Sequence, residues 1–133
     1  MATPTIITLD AATNPVSDNL FVQKTTGQIT NDTEEDIGAI KKANLNKILI
    51  QIQNVDSTNS LDWYIYGVAD NNTSPPDFST GKYVTLPNSS GTIASGANDI
   101  IRNTDEWDWI LIRMKRTTPQ QSASYEIYIR GEQ

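Results

Sequence analysis

The residues best able to do chemistry in this chain are its carboxylates, which gather at Asp32, Glu34, Glu35 and Asp36 and again at Asp99, Asp105, Glu106 and Asp108. Oxygen-only ligands of this kind suit calcium, and a pair of carboxylates can also hydrolyse a glycosidic bond. Neither chemistry has its motif. No stretch carries the EF-hand ligand spacing, so solvated loop and edge charge is the economical account of both clusters. For a sugar-binding or glycan-cleaving site, Trp63, Tyr64, Tyr66, Trp107 and Trp109 would have to be exposed beside a cleft as stacking platforms. They stand instead in strongly alternating stretches, where side-chain packing explains them better.

The 133 residues contain no His and no Cys. That removes thiol nucleophiles, Ser-His-Asp arrangements, disulfides and Cys/His zinc sites, and leaves carboxylates, Lys and Tyr for acid and base work. No enzyme activity, cofactor or metal is expected. Sixteen acidic against ten basic residues give a net charge of −6, and the positives are dispersed apart from Lys41, Lys42 and the group Arg113, Lys115, Arg116. Such a surface repels a phosphate backbone, so nucleic acid is not an expected partner. No segment approaches the roughly 18 apolar residues that span a bilayer, and the N-terminus lacks the features of a cleavable signal, so synthesis in a cytoplasm is expected.

The elements that must position these residues are strands. Ser, Thr, Asn and Gln make up about a third of the chain, and its periodic stretches are rich in Thr, Ile, Val and Tyr, which is the mixture of strands joined by polar turns. The organising stretch runs from Trp107 to Arg116. Read with period two, one face carries Trp107, Trp109, Leu111, Arg113 and Lys115 and the other Ile110, Ile112 and Met114. Both faces need cover, from a second sheet, a crossing N-terminal arm or a neighbouring subunit. Those five residues, Trp107 to Lys115, are the candidate interface.

Elsewhere the pattern predicts strands at Thr5 to Leu9, at Asn19 to Lys24 closed by a turn at Gly27, at Leu45 to Asn54 with Ile48, Ile50 and Ile52 inward, at Leu61 to Val68, at Lys82 to Leu86 before a turn at Pro87 to Gly91, and at Ala123 to Arg130. Asp10 to Asp18 reads as a connection and Ala69 to Thr80 as a surface loop. Leu45 to Asn54 should form a hairpin with Leu61 to Val68, and a weak internal echo suggests a second hairpin from the Trp107 strand to the C-terminal one. Between Thr33 and Lys42 a helix competes, with a capping-box pattern and lysines last. Gly38 and the short length favour a strand from Asp36 to Ile40. Glycines 27, 67, 81, 91, 96 and 131 are spaced as turn and strand-end residues.

The run Asp36-Ile-Gly-Ala-Ile, the alternating strand ending Gln53-Asn54, Leu61-Asp-Trp-Tyr-Ile-Tyr-Gly, Ala94-Ser-Gly-Ala-Asn98 and Trp-x-Trp-Ile-x-Ile-Arg resemble small β-sandwich proteins of tailed bacteriophage virions, which decorate or cement capsids or form parts of the tail and neck. The resemblance covers about Asp36 to Gly131. It implies a non-enzymatic virion structural protein, most simply a capsid decoration or cement subunit, homo-oligomeric, with a trimer as one such form, made in the host cytoplasm, whose partners are capsid or other virion proteins. The expected fold is all-β, a two-sheet antiparallel sandwich of jelly-roll or immunoglobulin-like type. Residues 1–35 would form an extended N-terminal arm and edge strand, and 36–133 the sandwich of a single domain. The competing reading is a carbohydrate-binding β-sandwich module, with or without calcium.

Overall fold

A computed structural model describes residues 5–7, 15–17, 20–42, 45–68, 83–103 and 107–132. Ten strands follow in chain order: β1 (Thr5–Ile7), β2 (Pro15–Ser17), β3 (Leu20–Ile29), β4 (Glu35–Lys41), β5 (Lys47–Asn54), β6 (Leu61–Val68), β7 (Tyr83–Ile93), β8 (Asn98–Asn103), β9 (Trp109–Arg116) and β10 (Ala123–Glu132). They build two five-stranded sheets among the described residues, β1-β4-β9-β6-β7 and β2-β3-β10-β5-β8. From β3 to β10 the strand order is that of a jelly roll, two Greek keys folded face to face, with β1 and β2 added along one edge. The expected β-sandwich is present, and its connectivity is jelly-roll rather than immunoglobulin-like.

The core lies between the sheets and is mostly isoleucine. β5 contributes Ile48, Ile50 and Ile52, β6 contributes Leu61, Trp63 and Ile65, β9 contributes Ile110, Ile112 and Met114, and β10 contributes Tyr125, Ile127 and Ile129. β-branched side chains on strict alternation suit such a layer, because their restricted rotamers lose little on being fixed against a pleated surface. β9 takes the middle of the first sheet, and both of its faces are covered as its sequence requires.

Neither expected hairpin forms. β5 pairs with β8 and β10 while β6 pairs with β7 and β9, so the turn after Asn54 crosses from one sheet to the other. The turn from Thr117 to Ser122 likewise carries the chain from β9 in one sheet to β10 in the other. Facing apolar rows explain both. Two amphipathic strands joined by a short polar turn can bury their apolar sides against one another across a sandwich as well as side by side, and alternation does not distinguish the two.

Other boundaries also move. β3 continues through Thr25, Thr26 and Gly27 to Ile29, because β10 offers it a ten-residue ladder from Glu132 to Ala123. It is therefore an internal strand rather than part of an arm, and only β1 and β2 remain as short edge pieces, β2 within the stretch expected to be a connection. β4 is the expected strand, not a helix. β7 absorbs the expected turn at Pro87 to Gly91 as an irregularity, its register on β6 passing from Ser90 opposite Tyr64 to Thr85 opposite Tyr66. The loop expected from Ala69 to Thr80 lies outside the described residues, as do Asp105 and Glu106.

Candidate interaction surface

β4 shows how local sequence sets which groups meet. Asp36 lies opposite Arg113, and the next pair is Gly38 with Ile112, so one extra residue bulges at Ile37. The bulge switches phase. Asp36 stays on the outer face beside Arg113, while Ile40 turns into the core opposite Ile110. Arg113 donates to Asp36 through Nε, and its guanidinium carbon stands 5.1 Å from the centre of the Tyr66 ring. Tyr66 in turn donates to Glu34. Partial burial and the neighbouring Glu34 carboxylate, which both disfavour a phenolate, push its pKa up to about 12.

Beside this network Trp109, Leu111, Ala39 and Val68 form a second apolar cluster on the outer face of the first sheet. Trp109 is 2% exposed, Leu111 0% and Arg113 4%. The chain itself therefore covers three of the five candidate interface residues. Lys115 keeps 32% of its side chain in solvent, 3.8 Å from Asp62. Trp107 leaves the expected row altogether. It precedes β9, and its indole packs with the main core over Gly67, on the opposite side of the sheet from Trp109. Its Nε1 is buried without a hydrogen-bond partner.

The proposed sugar platforms fare no better. Trp63 is 5% exposed, its indole lies against Gly91, and its Nε1 donates to Asp99 at 2.7 Å, tying the β6–β7 edge of one sheet to β8 of the other. A half-open groove of about 400 Å³ runs along this edge between Trp63, Ser90, Asp99 and Arg102. The ring faces of Trp63 and Trp109 are thus spent on packing and cannot stack on a sugar. The acidic residues also have partners: Asp32 meets Arg116 at 2.8 Å and the Gln120 amide at 3.1 Å, Asn31 donates to Glu35 at 2.7 Å, and Asp56 receives the amides of Thr58 and Asn59. Among the described residues no group of three or more acidic side chains is placed to hold a metal ion.

The face that remains open is the outer side of the second sheet. Its rows follow from the ladders: Val22, Arg130, Leu49 and Arg102 in one, then Lys24, Tyr128, Gln51 and Ile100, then Thr26, Glu126, Gln53 and Asn98. Val22 is 38% and Ile100 47% exposed. Lys24 pairs with Glu126 at 3.4 Å and lies over the Tyr128 ring. Sequence reading missed this face, although the signal was present in Val22, Leu49 and Ile100, apolar residues out of phase with their inward neighbours.

One further residue organises the end of the sandwich. Asn54 is fully buried, and its Nδ2 donates to the carbonyls of Asn59 at 2.8 Å and Ile93 at 3.0 Å while its Oδ1 accepts from the Asp56 amide. Its backbone exchanges bonds with Gly96 and Ala97. Two sheet-crossing turns are thus tied through one side chain.

The sequence matches no protein-family model and no curated protein. Solved structures are similar at the level of the fold. CorA, a surface-associated copper-binding protein of Methylomicrobium album BG8, aligns over 96% of this chain and 97% of its own with TM-score 0.55 and 9% identity. PirA aligns over 82% and 93% with TM-score 0.52 and 9% identity, and the Yersinia pseudotuberculosis-derived mitogen over 81% and 83% with TM-score 0.51 and 7% identity. The prophage-derived protein YomS and the Tobacco streak virus coat protein are looser neighbours, at TM-scores 0.42 and 0.37, and carry no argument about role. What the chain shares with CorA, PirA and the mitogen is the fold.

Proposed function

We propose that this chain is a non-enzymatic structural subunit that works by associating with protein, in the manner of a capsid decoration or cement subunit of a virion, and that it is homo-oligomeric. The observation that carries the reading is the contrast between the two outer faces. One is covered by the chain itself, and the other presents Val22, Leu49, Tyr128 and Ile100 among arginines and glutamines. Arg, Tyr and aliphatic anchors with few acids are the composition of contact surfaces rather than of solvated sheet faces. Association of such a face gains about 25 cal/mol per Å² of apolar area before the costs of lost freedom, and display in many copies amplifies a weak single contact.

Copper binding of the kind reported for CorA does not transfer. This chain has no His or Cys, and Met114 is sealed in the core, so imidazole and thiolate ligands for copper are absent. Light scattering across a concentration series tests the proposal. The expected mass rises above the 14.7 kDa of one chain. A constant monomer mass up to millimolar concentration would remove the self-assembling reading.

A further inference from the structure

We infer that β8 pairs edge to edge with β8 of a second copy of this chain, antiparallel about a two-fold axis at Ile100, joining the two second sheets into one. The inference rests on the structural-subunit reading and adds the contact and its register. Among the described residues each sheet ends in two edge strands, β1 and β7 in the first and β2 and β8 in the second. Three of these edges are blunted in the ways that keep strands from pairing with a neighbour. β1 and β2 are three residues long and β2 begins with Pro15, while β7 carries Pro87 and breaks register against β6. β8 has none of these devices. Asn98–Asn103 runs for six residues without Pro, Gly or Lys, keeps an unbroken register on β5, and presents Ile100 at 47% exposure.

The backbone groups on that edge follow from the ladder. The Asn54 amide donates to the Ala97 carbonyl at 3.0 Å, and the Val55 amide to the Ser124 carbonyl on the other side of β5. Antiparallel strands alternate between hydrogen-bonded and non-hydrogen-bonded pairs, so Asp99 and Ile101 exchange bonds with Ile52 and Ile50. The N–H and C=O groups of Asn98, Ile100 and Arg102 therefore point away from β5. Among the described residues no strand pairs with them, and the half-open groove between Ser90 and Arg102 runs along the same rim.

Another β8 is the strand that fits. With the axis at Ile100, Asn98, Ile100 and Arg102 lie opposite the partner's Arg102, the partner's Ile100 and the partner's Asn98. Every edge-facing residue then has an edge-facing mate, and each pair exchanges two bonds. An axis at Asp99 or Ile101 leaves one of the three without a mate in β8, and an axis at Arg102 opposes two guanidiniums. The side chains agree with the backbone. The row Arg130, Leu49, Arg102 runs on into the partner's Asn98, the partner's Gln53 and the partner's Glu126, so no cation is set against a cation. The two Ile100 side chains cover one another at the axis. Because the same patch serves both copies, the pair is closed. A strand edge of about 20 Å buries less than the ~800 Å² per partner of a standard interface, so the dimer is weak and its population rises with concentration.

Because the chain has no Cys, single-cysteine variants read the register. Ile100→Cys is the test, with Arg102→Cys and Val22→Cys as controls, all at exposed positions on the outer side of the same sheet. At the axis the two Cα atoms stand about 5.5 Å apart, inside the roughly 4.4–6.8 Å that a disulfide spans, whereas the two Arg102 positions lie about 14 Å apart. In oxidised glutathione, Ile100→Cys is expected to form a covalent dimer about tenfold faster than either control, at a rate that rises with protein concentration. Light scattering of Ile100→Pro supplies the second readout, since proline removes the central edge N–H and no bond of the β5 ladder. This variant is expected to be monomeric where the wild type is dimeric, with an unchanged melting temperature. Cross-linking of Ile100→Cys no faster than that of Val22→Cys would overturn the edge pairing, and an oligomeric wild-type mass would then leave the structural-subunit reading standing. Faster cross-linking at position 102 would overturn the register. A wild-type monomer up to millimolar concentration would overturn both readings.

Discussion

Asn54 and the Asp36–Arg113 pair are polar groups buried for opposite reasons. Asn54 satisfies backbone that the crossing turns leave unpaired, so replacing it strips a partner from the carbonyls of Asn59 and Ile93 at once. Asn54→Ala should therefore cost about 2–4 kcal/mol, as the sum of unmet buried acceptors and a small cavity, read as a lower urea midpoint at unchanged slope. The Asp36–Arg113 pair is different, because its side chains are 7% and 5% exposed and the charges were expensive to bury. Asp36→Ala alone should cost about 3–5 kcal/mol by taking the carboxylate away from a buried guanidinium, whereas the double change Asp36→Ala with Arg113→Met should recover much of that loss. Chemical denaturation of the single and double variants checks it. If the double variant were as unstable as the single, the pair would be contributing more than charge cancellation.

At the scale of elements, glycine marks where strands lie closest to aromatic side chains. A Cβ at Gly67 would enter the Trp107 indole, and one at Gly91 would come 2.8 Å from Trp63 Nε1. Gly67→Ala and Gly91→Ala should each destabilise by about 1–3 kcal/mol through overpacking, and the tryptophan emission of each variant should shift to the red as an indole is pushed outward. The sequence signal was glycine inside an alternating strand, which points to close approach as readily as to a turn. Strand existence and inward phase were legible at β5, β6, β9 and β10, since Ile48, Ile50 and Ile52 or Tyr125, Ile127 and Ile129 repeat with period two. Sheet membership was not legible, because a turn such as Asp56 to Ser60 looks the same whether it closes a hairpin or crosses a sandwich. The same period extended to Asn54 would have placed a polar residue in the core, and Arg113 was placed on the correct face but its burial depended on Asp36, held there by a bulge that alternation does not reveal. The open face suffered likewise: Leu49 and Ile100 stand out only once β5 and β8 are known to be neighbours.

For the molecule as a whole, titration bounds stability from both sides. Asp32 is held below the usual carboxylate range by the Gln120 amide and then by Arg116, and Asp56 by the amides of Asn59 and Thr58. A carboxyl whose pKa is lower in the folded chain contributes stability that is present above its unfolded value and lost as pH falls through the folded one. Both groups tie loops at the same end of the sandwich, so acid should loosen that end first, below the ordinary carboxyl value of 3.8. Tyr66 works in the other direction. Its pKa is raised from 10.0 to about 12, so the folded chain keeps the proton, and stability that is complete below 10 declines as pH rises toward 12. The melting temperature should therefore hold a plateau between these limits and fall at each end. Tyr66→Phe should flatten the alkaline limb and leave the acid limb unchanged, because the phenol is remote from Asp32 and Asp56 in the hydrogen-bond network. Ultraviolet titration of the folded protein should show a late phenolate step that the same variant lacks. An alkaline limb equally steep in Tyr66→Phe would place its cause elsewhere, with Tyr125 the next group to examine, since burial also raises its pKa.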